Sequence, residues 1–452
     1  MKRTIAFLLA LALALSLFGC GKKEAAEEDT GEYTETTLSF ADSADKVKLL
    51  GRARIMKDGL HCDWPASGVE FRLDCEGTVS ITLNSASDAY YQLFFDGHEM
   101  SPRIRTTSGE ETKDVITDVP AGVHTFRIVR DSDLLTDGTT AIQSVTATCR
   151  PSTLTATVNK DIYVEFIGDA LTSGFGSLYD AEKNGNTSPE NWGIETNSAV
   201  KSFAYLTAQK LGADYSLVSV SGIGVAAEKD GKDMRDVYRY WNAYEGRKKY
   251  DFARKPDVIV CALGMSDADD ETFVTEMRKF VKTLRDKNGK DCKIVFACNM
   301  LTDKNVDAYS ALAEELGGID AGYHIVRLPR SGDVGYLTAA NAEKDAAELA
   351  TVLNGLFPGR VMPKASSSTT TTKTGQADDS RFTPWKKTNE KQKDEETTQE
   401  QSKTSGKQNG TSGKSSATAK SGKTASTETT DKTAKSGKSA KSAATGKTEA
   451  NK

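Results

Sequence analysis

Tyr163-Val164-Glu165-Phe166-Ile167-Gly168-Asp169-Ala170-Leu171-Thr172-Ser173-Gly174 is the stretch on which the fold turns. Tyr163 to Ile167 reads as a strand, and Gly168 lets the backbone turn tightly into a helix. The same grammar repeats downstream. Helical spacing from Ala199 to Leu211 precedes a strand pattern at Tyr215 to Val220. Asp257 to Leu263 is nearly all apolar, as in a strand buried on both faces. Then come an amphipathic helix over Glu271 to Asp286, a strand at Lys293 to Cys298, a helix from Val306, a strand from His324 and a closing helix from Thr338. Strands alternating with helices over residues 158–360 predict a parallel sheet wrapped on both faces. Ligands of such sheets sit beyond the carboxyl ends of the strands. Three glycine-bearing turns fall there: Gly168-Asp169-Ala170, Ser221-Gly222-Ile223-Gly224 and Gly264-Met265-Ser266-Asp267. Their N–H groups suit an anion or oxyanion cradle.

Upstream the period changes from helical to two. Val69 to Leu73 and Val79 to Leu83 alternate as half-buried strands do, and Asp58-Gly59, Asp96-Gly97 and Asp137-Gly138 supply turns. Residues 46–150 therefore predict an all-β sandwich or jelly roll. The expected architecture is multi-domain: this β unit, the flavodoxin-like α/β unit, and a tail.

The ends carry an address. Lys2 and Arg3 precede an apolar run closed by Leu17-Phe18-Gly19-Cys20, which has the form of a lipobox. Residues 1–20 are expected to be a signal peptide, with a lipid on Cys20 tethering the protein to the outer face of a bacterial membrane. Residues 21–45 are polar and acidic, as in a spacer. Residues 361–452 are Ser, Thr, Lys, Gly and Gln, too polar to repay the entropy of ordering. From Gln401 onward the tail carries +8, which leaves −13 on the rest of a chain whose net charge is −5. That distribution argues against nucleic acid, since the folded part is acidic. The basic tail is suited to an anionic cell-wall polymer. Beyond Cys20 there are six cysteines, three in each half, with no zinc-ligand spacing; they are expected to be small buried hydrophobes.

These motifs, taken in order, resemble the SGNH or GDSL hydrolases. The two-domain layout is similar to carbohydrate esterase family 2, in which a small jelly roll precedes an SGNH domain. Gly51-Arg52, Asp58-Gly59-Leu60 and Ser67-Gly68-Val69-Glu70-Phe71 carry the resemblance in the first domain. Val164 to Asp169, Leu211 to Val218, Ser221-Gly222-Ile223-Gly224 and Leu263-Gly264 carry it in the second. The resemblance implies removal of acetyl groups from plant polysaccharides by a serine nucleophile, a histidine base and an oxyanion hole, without cofactor or metal.

The residues at the implied positions do not fit that chemistry. The nucleophile position is Ala170, and the glycine of the oxyanion hole is kept as Gly222. The asparagine position is Ser266, and the base position, in Val334-Gly335-Tyr336-Leu337, is Tyr336. A methyl group cannot attack a carbonyl, and a phenol titrating near 10 is no base at neutral pH. Ser173 is the alternative nucleophile, one turn further on and without a base. The histidines are His61, His98, His124 and His324, three of them in the β unit and the last at the far end of its strand. The expectation is therefore a relative that binds polysaccharide without cleaving it. Asp169, Gly222, Ser266, Tyr336 and Trp192 are its ligand-binding candidates, with Tyr179 and Phe175 as further aromatic walls. An active polysaccharide deacetylase and a surface adhesion protein are the alternatives.

Overall fold

The computed structural model describes residues 31–133, 139–185, 188, 191–243, 248–268, 271–329 and 336–361. Cys20, the signal peptide, residues 21–30 of the acidic spacer and nearly all of the basic tail lie outside these residues. Among the described residues no helix is long and apolar enough to cross a membrane.

The first unit is built from β1 (Thr34–Ser39), β2 (Lys48–Leu50), β3 (Arg54–Met56), β4 (Gly59–His61), β5 (Gly68–Ser85), β6 (Ala89–Phe95), β7 (His98–Glu99), β8 (Ile104–Thr106), β9 (Gly109–Arg130), β10 (Thr140–Cys149) and β11 (Thr155–Ala156). They form one large antiparallel sheet with the central order β3-β4-β10-β5-β9-β6-β7. The period-two pattern of Val69, Phe71 and Leu73, continued by Val79, Ile81 and Leu83, puts these side chains into a single buried core with Phe126, Ile128, Ile142 and Val145. Each such side chain contributes about 1.5–3 kcal/mol relative to exposure. Register shifts between Cys75 and Val79 on β5 bend the pair β5–β9, whose strands are too long for one flat layer. One boundary is corrected. The spacer expected over residues 21–45 contains β1, which pairs along its whole length with β10 from Thr34↔Cys149 to Ser39↔Ser144. Only Leu38 of that strand packs on the core, so its composition did not betray a strand.

The second unit has the parallel strands β12 (Tyr163–Gly168), β13 (Asp214–Ser219), β14 (Val258–Ala262), β15 (Lys293–Cys298) and β16 (Tyr323–Arg327) in the order β13-β12-β14-β15-β16. Its helices are α1 (Ala170–Ser173), α2 (Ala181–Asn184), α3 (Phe203–Leu211), α4 (Met234–Val237), α5 (Glu271–Asn288), α6 (Val306–Glu315) and α7 (Ala339–Gly355). Two buried clusters sandwich the sheet. One joins Val164, Phe166 and Val260 to α3 and α7; the other joins Ile167, Ile259 and Phe296 to α5 and α6. The strand order reverses at β12, which makes the carboxyl end of β12 the natural crevice.

The two units pack on each other through buried charge. Arg52 is fully buried and donates to Glu165 of β12 through Nε (3.3 Å) and Nη2 (3.0 Å). Tyr238 holds the other carboxylate oxygen at 2.8 Å. The guanidinium lies 4.2 Å from the Tyr250 ring and 4.6 Å from that of Tyr238. Only such full pairing makes a buried ion tolerable.

Candidate functional site

The three glycine-bearing turns do meet at the carboxyl ends of β12, β13 and β14. Asp169 leaves β12 and caps α1: its Oδ1 accepts the Leu171 N–H at 3.4 Å. Asp169 is wholly buried and its Oδ2 has no hydrogen-bond partner. Burial raises its pKa to about 7, and the neighbouring Asp267 carboxylate pushes the same way. Ala170 is the first residue of α1. Its side chain offers no atom that can act as nucleophile, base or hydrogen-bond partner.

Ser173, the alternative nucleophile, is fully buried. Its Oγ donates to the Ala170 carbonyl at 3.0 Å and lies 3.3 Å from the Ser221 Oγ. No histidine is among these partners. His61 is bonded to Asp58, His124 to Asp96 and the Pro120 carbonyl, and His324 lies on β16 one residue from its amino end.

The second turn is held from two sides. Asp267 is buried, and its carboxylate accepts the N–H groups of Val225 (3.0 Å), Ala226 (2.7 Å) and Ala227 (2.8 Å). This requires glycine at 224, where a Cβ would stand 2.3 Å from Asp267 Oδ1. Gly222 is exposed, with φ of +85°. Lys229 folds back beside it, donating from Nζ to the Ser221 carbonyl at 2.9 Å. Ser266 is half-buried between Met265 and Asp267.

Tyr336 ends up in an aromatic stack. Tyr179 lies parallel on Trp192 with ring centres 4.0 Å apart, Phe175 stacks on Trp192 at 5.8 Å, and Tyr336 meets Trp192 edge-on at 4.6 Å. Trp192 is only 8 % exposed. Its indole is therefore committed to its neighbours, and it is the half-buried Tyr179 and Phe175 that border solvent. Gly176 makes the stack possible: it has φ of +70°, and a Cβ there would lie 2.4 Å from the indole. Burial raises the Tyr336 pKa further. Val334 and Gly335, before it, lie outside the described residues.

Residues of the β unit complete the site, and sequence reasoning missed them. Asp131 and Asp133 follow β9 and are both buried. Asp131 accepts the Ser198 hydroxyl (2.8 Å) and the Val200 N–H (2.9 Å), while Arg103 bridges Asp131 and the Asn197 carbonyl. Asn197 in turn accepts the Gly176 N–H at 3.0 Å. Asp133 accepts the Ser221 N–H at 3.2 Å. Two acids placed just past a long alternating strand were the only available signal.

This layout invites comparison with known proteins. The carbohydrate esterase 2 N-terminal family model matches residues 49–154. The chain carries a carbohydrate esterase 2 N-terminal domain. A family two carbohydrate esterase from Clostridium thermocellum, solved in complex with cellohexaose, is similar over 69 % of this chain and 98 % of its own, at 20 % identity and a TM-score of 0.59. An acetyl xylan esterase from the rumen bacterium Butyrivibrio proteoclasticus covers 72 % of this chain and 98 % of its own, at 21 % identity and 0.62. A family two carbohydrate esterase from Cellvibrio japonicus covers the same shares at 20 % and 0.61. Comparison with curated protein sequences gives no match. The antiparallel sheet followed by the parallel-sheet unit is thus the two-domain fold of the family 2 esterases.

Proposed function

We propose that this chain is an extracytoplasmic, lipid-anchored relative of the family 2 carbohydrate esterases that binds carbohydrate and does not cleave esters. The observation that carries the reading is Ala170 at the first position of α1. The turn, the helix and the buried Asp169 are all in place there, and the one atom that would attack is a methyl carbon. Tyr336 supports it, because its ring is packed against Trp192 and Tyr179, and a phenol raised above its usual range takes up no proton from a nucleophile. Losing a nucleophile or base costs a serine hydrolase about a million-fold.

The bound class follows from the groups at hand: half-buried Tyr179 and Phe175 offer apolar ring surface, and half-buried Ser266 and exposed Gly222 stand on the turns after β14 and β13. A sugar, with one apolar face and a rim of hydroxyls, suits such a surface. The clostridial relative was solved with cellohexaose bound. Acetyl release from acetylated xylan and from an aryl acetate, alongside a binding titration with the plain polysaccharide, tests the reading. Binding without acetyl release is the expected result. Turnover well above the uncatalysed rate sinks it and makes Ser173 the first residue to replace. The triple variant Ala170→Ser, Ser266→Asn, Tyr336→His reports whether the scaffold still supports chemistry.

A further inference from the structure

A second cleft opens at the opposite end of the parallel sheet. It encloses about 410 Å³ between the two units, at the amino ends of β12 and β13, where Tyr163 and Asp214 begin their strands. That volume lies within the range of small-molecule sites, which favour domain interfaces. A six-residue strand spans roughly 20 Å, so this cleft and the Asp169 site are separate.

Its walls come from four segments of the chain: β2 and its flanks, the connector after β11, the strand ends, and the loop that leads into β14. Trp241 is half-exposed and meets Tyr250 edge-on at 4.6 Å. Tyr250 is fixed from behind by the buried Arg52 guanidinium at 4.2 Å. Below them Asp214 is saturated, accepting Lys48 (2.6 Å), Arg254 (2.7 Å) and the Lys160 N–H (2.9 Å). Around the mouth stand planar polar groups with capacity left over. The Asn159 amide makes no hydrogen bond among the described residues, and exposed Asp251 uses one oxygen for the Ala253 N–H. The Arg254 side chain is 40 % exposed. Two of the large apolar side chains most exposed on the described surface also gather here: Leu49 (38 %) lines the cleft and Val158 (85 %) sits between lining residues.

The charge decides the ligand class. Lys48 and Arg254 balance Asp214 and Asp251, so the cleft attracts neither anion nor cation. A rigid aromatic wall, apolar rims and planar groups that each hold two hydroxyls suit a molecule that is neutral, polar at its edge and apolar on its face. We propose that this interdomain cleft is a second saccharide site, for a short neutral pyranose oligosaccharide, independent of the site at the carboxyl end of the sheet. It does not rest on the loss of Ala170 chemistry, and it gives the protein two points of attachment to one polysaccharide surface.

Calorimetric titration of the full chain with cellotriose, xylotriose, maltotriose and mannotriose, with tryptophan fluorescence in parallel, tests it. At least one sugar is expected to bind, with Trp241→Ala and Asp251→Ala each weakening that binding by about tenfold or more, as interface anchors do. Trp241→Phe is expected to restore most of it. Tyr179→Ala, at the other site, is expected to leave the cleft's share of the binding intact. Asp251 is exposed, so its variant keeps the protein folded and the test valid should Trp241→Ala melt early. Binding that survives both cleft variants and falls with Tyr179→Ala overturns the cleft and leaves the proposed function standing. Binding that falls only with the cleft variants supports the cleft and leaves the proposed function to the polysaccharide titration and the acetyl-release assay. No binding of any of the four sugars overturns the cleft.

Discussion

Replacing Asp169 by Asn should change how stability depends on pH. Asp169 is completely buried, has one unpartnered oxygen, and titrates at about 7 instead of 3.8. The sign follows from proton linkage. Below about pH 3.8 both the folded and the unfolded chain hold this proton and the fold has its full stability. Between 3.8 and 7 the unfolded chain releases the proton and the folded chain keeps it, so stability falls as pH rises. Above 7 the loss is complete. The gap between the two pKa values, at 1.36 kcal/mol for each pH unit, amounts to about 4 kcal/mol. Asparagine keeps the Oδ1 acceptor that caps Leu171 and has no proton to lose. The measurement is urea unfolding of wild type and Asp169→Asn from pH 4.5 to pH 8. The variant is expected to gain on the wild type by about 3 kcal/mol across that range. His124 and Asp131, whose pKa values are also raised, and His324, whose pKa is lowered, titrate in both proteins and cancel in the difference. Parallel stability curves for the two proteins would show that Asp169 is ionised at ordinary cost and that the site is wetter than its burial implies.

Other consequences are as direct. Arg52→Met leaves Glu165 and Tyr238 facing an apolar side chain at the domain interface, and should cost about 3–5 kcal/mol in denaturant unfolding; an unchanged midpoint would mean that the pair contributes nothing. Gly224→Ala drives a methyl group into Asp267 and detaches the carboxylate from three N–H groups. A loss of about 2–4 kcal/mol is expected, whereas Gly231→Ala, with open space around it, should cost only the backbone strain of its φ of +70°, about 1 kcal/mol. The described cysteines are all buried and unpaired, with the thiols of Cys62, Cys75, Cys292 and Cys298 pushed up to about 12 by burial. A thiol reagent at pH 8 should therefore label almost none of them before unfolding and all six in urea; rapid labelling of the native protein would contradict the packing.

Much of this protein was legible in its sequence because the deciding signals are local. The all-apolar run of β14, the period of two in β5 and the glycine turns after β12 and β13 each state their structure within a dozen residues, and their order implies a parallel sheet with its crevice beside Asp169. Ala170 is equally local: the absence of a hydroxyl can be read without coordinates. What tertiary structure alone decided is every property that depends on neighbours distant in sequence. β1 is a strand only because β10 lies alongside to pair with it. Trp192 looked like a platform for sugar, but Tyr179, Phe175 and Tyr336 close round it once Gly176 lets them approach. Asp131 and Asp133 belong to the β unit, yet they hold the loops of the other unit's site. The cleft beside Trp241 exists only where four separated segments meet. A sequence specifies which residues tend to be strand, helix or turn; burial, and with it the shifted proton of Asp169, arises only when the rest of the chain excludes water from it.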